Sequence, residues 1–270
     1  MKRVGVAVFV KTPGLSPVKT RLAVSVGAEA ALALYRGSID CVVECVEAAA
    51  AQASLQPYWA VAEAQGASHW MQWPVLMQPE GDLGVRMAGI HQQLRQRHAG
   101  ALLLGADAPA LTPDTLVAAC AALRETPSRV IAPAHDGGFV LYGSTADHAG
   151  EDWSGVPYGA PDTALRFLAA VGAGLPLTTL APQQDLDTLD DLQALLRRGH
   201  EVVCVVRPRA GVAHEEAHQV GDLGDVALKD GGVEDDGDTE ASGARNFDAR
   251  MRRELELDLA APQIEYMAEP

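Results

Sequence analysis

Aromatic residues make up only 5% of the 270-residue chain, and its four cysteines form no Cys-x-x-Cys pair. A core with so few aromatic residues must consist mainly of Ala, Val and Leu, which suits helices packed on a parallel sheet. Without paired thiols the common zinc and redox patterns are excluded. We therefore expect Cys41, Cys45, Cys120 and Cys204 to be buried thiols in a reducing cytoplasm.

Basic residues are also scarce: 21 Lys and Arg stand against 36 Asp and Glu, a net charge of −15. This balance argues against nucleic acid and against an anionic membrane surface as partners, because both require a basic face on the protein. No apolar stretch reaches the roughly 18 residues of a membrane span, and the N-terminal apolar run is too short for a signal peptide. We expect a soluble, cytoplasmic protein.

The acidity is concentrated towards the C-terminus. Residues 207–270 contain 16 acidic and 7 basic residues, a net charge of −9 that leaves −6 for residues 1–206. Within 222–240, eight acidic residues and four glycines accompany one lysine without apolar periodicity, which is typical of disorder. We predict a folded domain over 1–206 and a largely disordered or loosely attached tail over 207–270, in which 247–259 has the pattern of a short amphipathic helix.

Strand and helix patterns alternate through the first 206 residues. Apolar runs predict strands over 4–10, 57–61, 75–78, 101–104, 129–133 and 139–142. Helical spacing predicts helices over 28–51, 82–97, 162–171 and 187–198, and another from 112 onward. This alternation is typical of an α/β fold with a Rossmann-like, mainly parallel sheet flanked by helices. Ligands bind such sheets beyond the carboxyl ends of the strands.

The segment after the first predicted strand contains Lys11, Lys19 and Arg21 among turn residues, in an otherwise acidic protein. Cations and backbone amides in such a loop suit a polyphosphate, and Arg can bind two phosphate oxygens in a fork. The segment is neither a P-loop nor a Gly-x-Gly-x-x-Gly fingerprint. From its composition alone, a solvated basic loop is the alternative to a phosphate site.

Carboxylates follow two further predicted elements. Asp107 ends a buried strand, where it either ligates a hard cation such as Mg²⁺ or Mn²⁺ or caps the next helix. Thr112 already stands at the cap position of that helix, which favours the metal. Capping of the last helix explains most carboxylates of the segment 185–191 but not Asp185, so we expect a second metal ligand here.

Two glycine-containing segments stand beside these carboxylates. The Asp-Gly-Gly segment 136–138 separates two predicted strands, and it fits either a hairpin turn or close approach of the backbone to a ligand. Gly81 and Asp82 begin a helix, with Asp82 as its N-cap. Arg86, one turn inside, either reaches a phosphate or pairs with a neighbouring residue.

Five segments together resemble a bacterial family of glycosyltransferase-A-fold proteins, often named arsenosugar-biosynthesis-type glycosyltransferases. The segments, in the order of the family, are 8–23 (VFVKTPGLSPVKTRLA), 81–87 (GDLGVRM), 103–111 (LLGADAPAL), 133–143 (PAHDGGFVLYG) and 185–192 (DLDTLDDL). The wider superfamily includes molybdenum-cofactor and phospholactate guanylyltransferases. The resemblance covers residues 4–199 and implies a nucleotide-diphospho-sugar transferase fold that binds a nucleotide over the first loop, with Mg²⁺ or Mn²⁺.

The resemblance implies that a nucleotide binds over the first loop, at Lys11, Lys19 and Arg21, of which Lys19 and Arg21 also serve catalysis by holding the phosphates. We expect Gly81, Asp82 and Arg86 of the second loop to complete the nucleotide-binding set.

The resemblance also implies a metal site and an acceptor site. Asp107 and Asp187 correspond to the two metal-binding positions, with Asp185 as the rival for the second. Asp136, Gly137 and Gly138 correspond to an acceptor-side loop. In that loop Asp136 is the expected catalytic carboxylate, which acts as a base or orients the acceptor hydroxyl.

Three functions are compatible with these residues. The leading one is metal-dependent transfer of a sugar from a nucleoside-diphosphate sugar to a small acceptor. The alternative is a nucleotidyltransferase that joins a nucleoside triphosphate to a phosphorylated small molecule and releases pyrophosphate; the three cations of the first loop fit this slightly better, because a triphosphate carries more charge. A third is a non-catalytic nucleotide-binding scaffold whose acidic tail recruits a partner.

Overall fold

The computed structural model describes residues 3–125, 127–148, 153–172 and 174–197. The tail predicted for 207–270, its helix at 247–259 and Cys204 lie outside these residues. The strands in the described part are β1 (Val4–Val10), β2 (Leu55–Val61), β3 (Val75–Met77), β4 (Gly100–Gly105), β5 (Arg129–Pro133), β6 (Phe139–Ser144) and β7 (Leu177–Thr179). The helices there are α1 (Thr20–Val26), α2 (Ala28–Ala50), α3 (Leu83–Arg95), α4 (Pro113–Glu125), α5 (Thr163–Ala170) and α6 (Leu189–Arg197). A 3₁₀ helix spans Ala64–His69.

The described strands form one sheet in the order β3-β2-β1-β4-β6-β5-β7, and β6 runs antiparallel to both of its neighbours. The other pairs are parallel, which confirms the predicted α/β fold with a mainly parallel sheet. From β1 the chain continues to β2 and β3 on one side, and it returns to β4 on the other side. The topological switch point therefore lies between β1 and β4, where sheets of this type open a crevice for ligands.

Strand β1 is buried on both faces, which explains its continuous run of apolar residues. Val6 and Val8 pack in a cluster with residues of α2 and α4, whereas Ala7 packs in a second cluster with residues of α3 and α5. A third, smaller cluster joins α1 to α6 through Leu22 and Leu192. Helices thus cover both faces of the sheet and leave the carboxyl ends of its strands accessible.

Predicted caps are confirmed at two helices. The Asp82 carboxylate accepts a hydrogen bond from the Val85 amide at 3.0 Å, and the Thr112 hydroxyl accepts one from the Thr115 amide at 3.3 Å. Three short elements have no counterpart in the sequence prediction: α1, the 3₁₀ helix and β7. Each is too short for a period to be recognised, and β7 is exposed along its length.

The prediction of buried thiols is confirmed for Cys45 and Cys120 and wrong for Cys41, which is partly exposed. Helix α2 packs through residues such as Val42 and Val46, and Cys41 lies at the margin of that face. No helix in the described part of the chain combines the length and the apolar character needed to cross a membrane.

His91 of α3 is buried among aromatic rings, with ring centroids 5.6 Å from Trp153 and 4.9 Å from His148. Burial, together with the charges of His148 and Arg95, lowers the pKa of His91 to about 3. In the unfolded chain the group returns to its ordinary pKa of 6.5, so between pH 6.5 and 3 the unfolded state binds more protons than the folded state.

We therefore expect the free energy of unfolding to fall as the pH is lowered below 6.5, by up to about 1.4 kcal/mol per pH unit from this group. His91→Phe should remove that share of the acid sensitivity, whereas His69→Gln at an exposed position should leave it unchanged. Urea unfolding between pH 4.5 and 7 measures the difference. Parallel pH profiles for the wild type and His91→Phe would contradict this assignment.

Candidate functional site

The loop after β1 is anchored at its base by three side chains from elsewhere in the fold. The Tyr35 hydroxyl accepts a hydrogen bond from the Lys11 amide at 2.9 Å and donates one to the Lys11 carbonyl at 3.0 Å. The Thr12 amide donates to the Glu63 carboxylate at 2.8 Å, and the Trp70 indole donates to the Thr12 hydroxyl at 3.0 Å. These contacts fix the direction in which the loop leaves the sheet.

Further along this loop, Lys19 lies between two carboxylates. Its ammonium Nζ is 2.9 Å from Asp107 Oδ2 and 3.3 Å from Asp187 Oδ1. The Lys19 side chain is only 4% exposed, whereas both carboxylates are nearly two-fifths exposed. Among the described residues Arg21 forms its ion pair with Asp187, at 3.1 Å, and its side chain is 66% exposed. The fold thus brings together three residues that are far apart in the sequence, with Arg21 at the margin.

Each charged group in this cluster stabilises the charged form of its partner. Burial disfavours the charged form of Lys19, but Asp107 and Asp187 outweigh it and raise the pKa of the ammonium. Burial likewise disfavours ionised Asp107, but the Lys19 ammonium outweighs it and lowers the pKa of that carboxyl group. We therefore expect both groups to be ionised at neutral pH. The ion pair of Arg21 adds little, because solvent screens an exposed side chain.

Asp187 reaches this position because other residues cap α6. The Thr188 hydroxyl and the Asp191 carboxylate form a reciprocal cap, in which the Asp191 amide donates to Thr188 Oγ1 at 3.4 Å and Asp191 Oδ2 accepts from the Thr188 amide at 2.7 Å. Asp191 Oδ2 also accepts from the Asp187 amide at 3.1 Å. The Leu186 amide donates to the Asp107 carbonyl at 2.9 Å, which ties this segment to the end of β4. The side chain of Asp187 is therefore available for Lys19.

A cavity of about 560 Å³ opens at the carboxyl ends of the strands. All the predicted site residues line it except Arg21 and Gly137, and Asp185 lines it as well. Its charged lining consists of three basic residues (Lys11, Lys19, Arg86) and five acidic ones (Asp82, Asp107, Asp136, Asp185, Asp187). The lining therefore carries a formal net charge of −2 when all of these groups are ionised.

The Asp-Gly-Gly segment is a hairpin turn, because β5 and β6 pair in antiparallel register on either side of it. Asp136 Oδ1 accepts a hydrogen bond from the Gly138 amide at 2.8 Å, which closes the turn. Gly137 has φ +91°, and a Cβ at this position would overlap the carbonyl oxygen of Pro161. The hairpin interpretation is therefore confirmed. Asp136 and Gly138 also line the cavity, and approach of a ligand to this backbone stays a prediction.

The second loop of the predicted nucleotide-binding set also lines the cavity. Gly81 adopts φ +135°, a conformation that glycine tolerates best, and Asp82 caps α3. Arg86 donates from Nε to the Gly81 carbonyl at 2.8 Å, so it does pair with a neighbour, while its side chain still lines the cavity.

Asp185 faces the same cavity, and its Oδ1 atom is buried without a hydrogen-bond partner. Burial raises the pKa of Asp185 to about 7, with further contributions from Asp107, Asp136 and Asp191. Three other carboxylates thus lie close enough to oppose ionisation of Asp185. A cation bound among them would lower this pKa again.

The two carboxylates beside Lys19 fit one mode of divalent cation binding. No group of three or more His, Cys, Asp or Glu side chains among the described residues is arranged to hold a metal ion. Mg²⁺ is often held by only one or two carboxylates, with phosphate oxygens and water as its other ligands. Asp107 and Asp187 supply hard oxygen atoms on either side of a site now held by an ammonium group.

The three residues that anchor the first loop, Tyr35, Glu63 and Trp70, are all absent from the sequence-based prediction. Glu63 follows the carboxyl end of β2, so the same criterion that selected Asp107 could have found it. Tyr35 lies within the long helix α2 and has no local signal. Its role depends on the packing of α2 beside the loop.

Residues 42–160 match a family model described as "Uncharacterized protein conserved in bacteria (DUF2064)". The fold is similar to that of a "putative nucleotide-diphospho-sugar transferase" from Desulfovibrio desulfuricans G20, with a TM-score of 0.62 and 24% identity over 74% of this chain and 89% of that chain. A nucleotidyl transferase from Methanothermobacter thermautotroptrophicus gives a TM-score of 0.48 and 11% identity over 73% of this chain and 97% of that chain. Rv0371C in complex with manganese, from Mycobacterium tuberculosis H37Rv, gives a TM-score of 0.41 and 16% identity over 73% of this chain and 99% of that chain.

Proposed function

We propose that this chain is a metal-dependent transferase that moves a sugar from a nucleoside-diphosphate sugar to a small acceptor. The observation that carries the proposal is the cavity at the switch point, where Lys11 and Lys19 lie beside Asp107 and Asp187. The fold resemblance supports the class of enzyme. The cytoplasmic location stays a prediction.

The charge of the cavity supports dependence on a divalent cation. Five carboxylates and three basic groups line it, so a diphosphate would enter a site that is already negative. Charges a few ångströms apart in a partly buried site interact by several kcal/mol, so the excess of carboxylates disfavours a bare polyphosphate. A nucleotide that arrives with Mg²⁺ or Mn²⁺ brings compensating charge.

Each group of residues has a separate task in this proposal. Lys11 and Lys19 bind the phosphate oxygens, while Asp107 and Asp187 hold the cation. A bound divalent ion would stabilise the charge that develops on the leaving diphosphate. Asp136 orients the acceptor hydroxyl from the hairpin turn and accepts its proton.

Nucleotidyl transfer is the second candidate, and the position of Arg21 makes it the weaker one. The sequence favoured a triphosphate slightly because three cations occur in the first loop. In the structure Arg21 does not line the cavity, and the lining as a whole is acidic. A diphosphate, with less charge to offset, fits this site better. Release of pyrophosphate from a nucleoside triphosphate would identify the second candidate.

A thermal-shift screen tests the proposal. It compares nucleoside diphosphates, triphosphates and diphosphate sugars, each with and without Mg²⁺ or Mn²⁺. A ligand at about 100 times its Kd should stabilise the fold by roughly 2.7 kcal/mol. We expect the largest shift with a diphosphate sugar plus metal. Asp107→Asn should abolish it, whereas Asp114→Asn, at an exposed position on α4, should not. A folded protein that responds to no nucleotide would exclude the proposal.

Gly105 provides a separate test of the position of Asp107. A Cβ at residue 105 would lie 2.5 Å from Asp107 Oδ1, at the end of a flexible side chain. Gly105→Ala should therefore displace the carboxylate and reduce transfer by about 10- to 100-fold. Because the backbone need not move, the melting temperature should stay close to that of the wild type. Gly100→Ala, at the opposite end of β4, serves as the control and should retain transfer.

A further inference from the structure

We propose that Lys19 is a built-in competitor for the divalent cation. In the free protein its ammonium group occupies the space between Asp107 and Asp187, so a metal ion can be held there only after Lys19 has moved to another anion. The metal and the nucleotide therefore bind as a pair, and neither binds well alone. This inference rests on the proposed function, which it deepens by assigning an order of binding.

The contacts of Lys19 carry the inference. Nζ bonds to a different carboxylate on each side, at 2.9 Å and 3.3 Å, and the side chain is almost fully buried. An ammonium group and a divalent cation both require the same carboxylate oxygens as neighbours. The two cations would also repel each other strongly at such short range. Occupancy by one therefore excludes the other.

The backbone holds Lys19 in this position. Its φ of 47° and ψ of 42° are left-handed, and it is the one non-glycine residue with positive φ in the described part of the chain. This conformation costs about 1–2 kcal/mol for a residue with a Cβ, so the surrounding contacts must maintain it. The Ala23 amide donates to the Lys19 carbonyl at 2.8 Å, and the loop is anchored at its other end through Lys11 and Thr12.

A phosphate group supplies the alternative partner. Lys19 lines the cavity, so rotation of its flexible side chain can bring the ammonium to the phosphates of a nucleotide without movement of the backbone. The phosphate oxygens thereby replace the two carboxylates as partners of the Lys19 ammonium. The cation then binds between Asp107 and Asp187. Free metal offers Lys19 no such partner.

Arg21 is a matched control for the charge of Lys19. It forms an ion pair with Asp187 but not with Asp107 in the structure, and its side chain is 66% exposed. Removing Arg21 therefore takes one positive charge from the same site without emptying the space between the two carboxylates.

The test measures binding of Mn²⁺ alone by electron paramagnetic resonance. We expect Lys19→Met to bind Mn²⁺ about tenfold or more tightly than the wild type, in the usual range of coupling between two ligands. Arg21→Gln should change the affinity by less than threefold. Lys19→Gly is the second variant, because glycine accepts the left-handed backbone and removes the ammonium without strain. Adding Asp107→Asn to Lys19→Met should abolish the gain.

The nucleoside diphosphate with the largest thermal shift is then added to each protein. It should tighten Mn²⁺ binding to the wild type much more than to Lys19→Met. If the wild type binds Mn²⁺ only with the nucleotide but neither Lys19 variant gains affinity for Mn²⁺ alone, the competitor role is wrong and the proposed function stands. If no protein binds Mn²⁺ with or without the nucleotide, the metal dependence in the proposed function is itself wrong.

Discussion

Asp107→Asn is expected to reduce the rate of transfer by about 10²–10³, the usual effect of removing one group that stabilises charge in a transition state. The amide keeps the shape of the side chain but loses the charge that holds Lys19 and that would hold a cation. Initial-rate assays with the diphosphate sugar identified by thermal shift, at saturating Mg²⁺ or Mn²⁺, measure the effect.

The fold should tolerate this change. Lys19 retains Asp187 as an anionic partner and the amide oxygen introduced at position 107 can still accept from the ammonium, so the cost should stay at about 1–3 kcal/mol although Lys19 is buried. Asp114→Asn should leave both the rate and the stability close to those of the wild type. Full activity in Asp107→Asn would exclude a role for this carboxylate in transfer. A large loss of stability in the same variant would instead assign it a structural role.

Gly137→Ala is expected to destabilise the protein more than any other substitution proposed here. Two costs combine: alanine resists φ +91°, and its Cβ would overlap the backbone carbonyl of Pro161. The first costs about 1–2 kcal/mol, and the forced displacement adds about 1–3 kcal/mol. Because the turn carries Asp136, transfer to the acceptor should fall as well.

Gly159→Ala isolates the first of these costs. Gly159 has φ +90°, but a Cβ there would meet no atom within 4 Å. Urea unfolding should therefore show that Gly159→Ala lowers the free energy of unfolding by about the conformational cost alone. Gly137→Ala should lower it clearly more. Equal losses in the two variants would mean that the turn shifts freely away from residue 161, and that its packing does not position Asp136.

The sequence predicted the parts of this site that depend on local chemistry. Asp82 and Thr112 stand at helix starts, where a side chain that accepts from backbone amides is favoured, and both act as caps. Asp107 could be selected because it ends a buried apolar strand and because Thr112 already caps the following helix. The mainly parallel sheet followed from the alternation of strand and helix patterns.

Other features depend on tertiary contacts that no local pattern records. The antiparallel insertion of β6 between β4 and β5 follows from pairing over long distances. The position of Arg21 outside the cavity follows from the turn of the chain into α1, an element too short to be recognised. The anchoring of Lys11 by Tyr35 likewise requires α2 to lie beside the loop.

The distances along the chain between the charged partners have a consequence for synthesis on the ribosome. Lys19 is separated by 88 positions from Asp107 and by 168 from Asp187. While the nascent chain is growing from its N-terminus, the lysine can acquire its first carboxylate with β4 but its second only when the last described helix is being made. Until then the ammonium has an incomplete set of partners. Formation of this triad therefore requires that translation has passed residue 187 and that β4 has paired with β1.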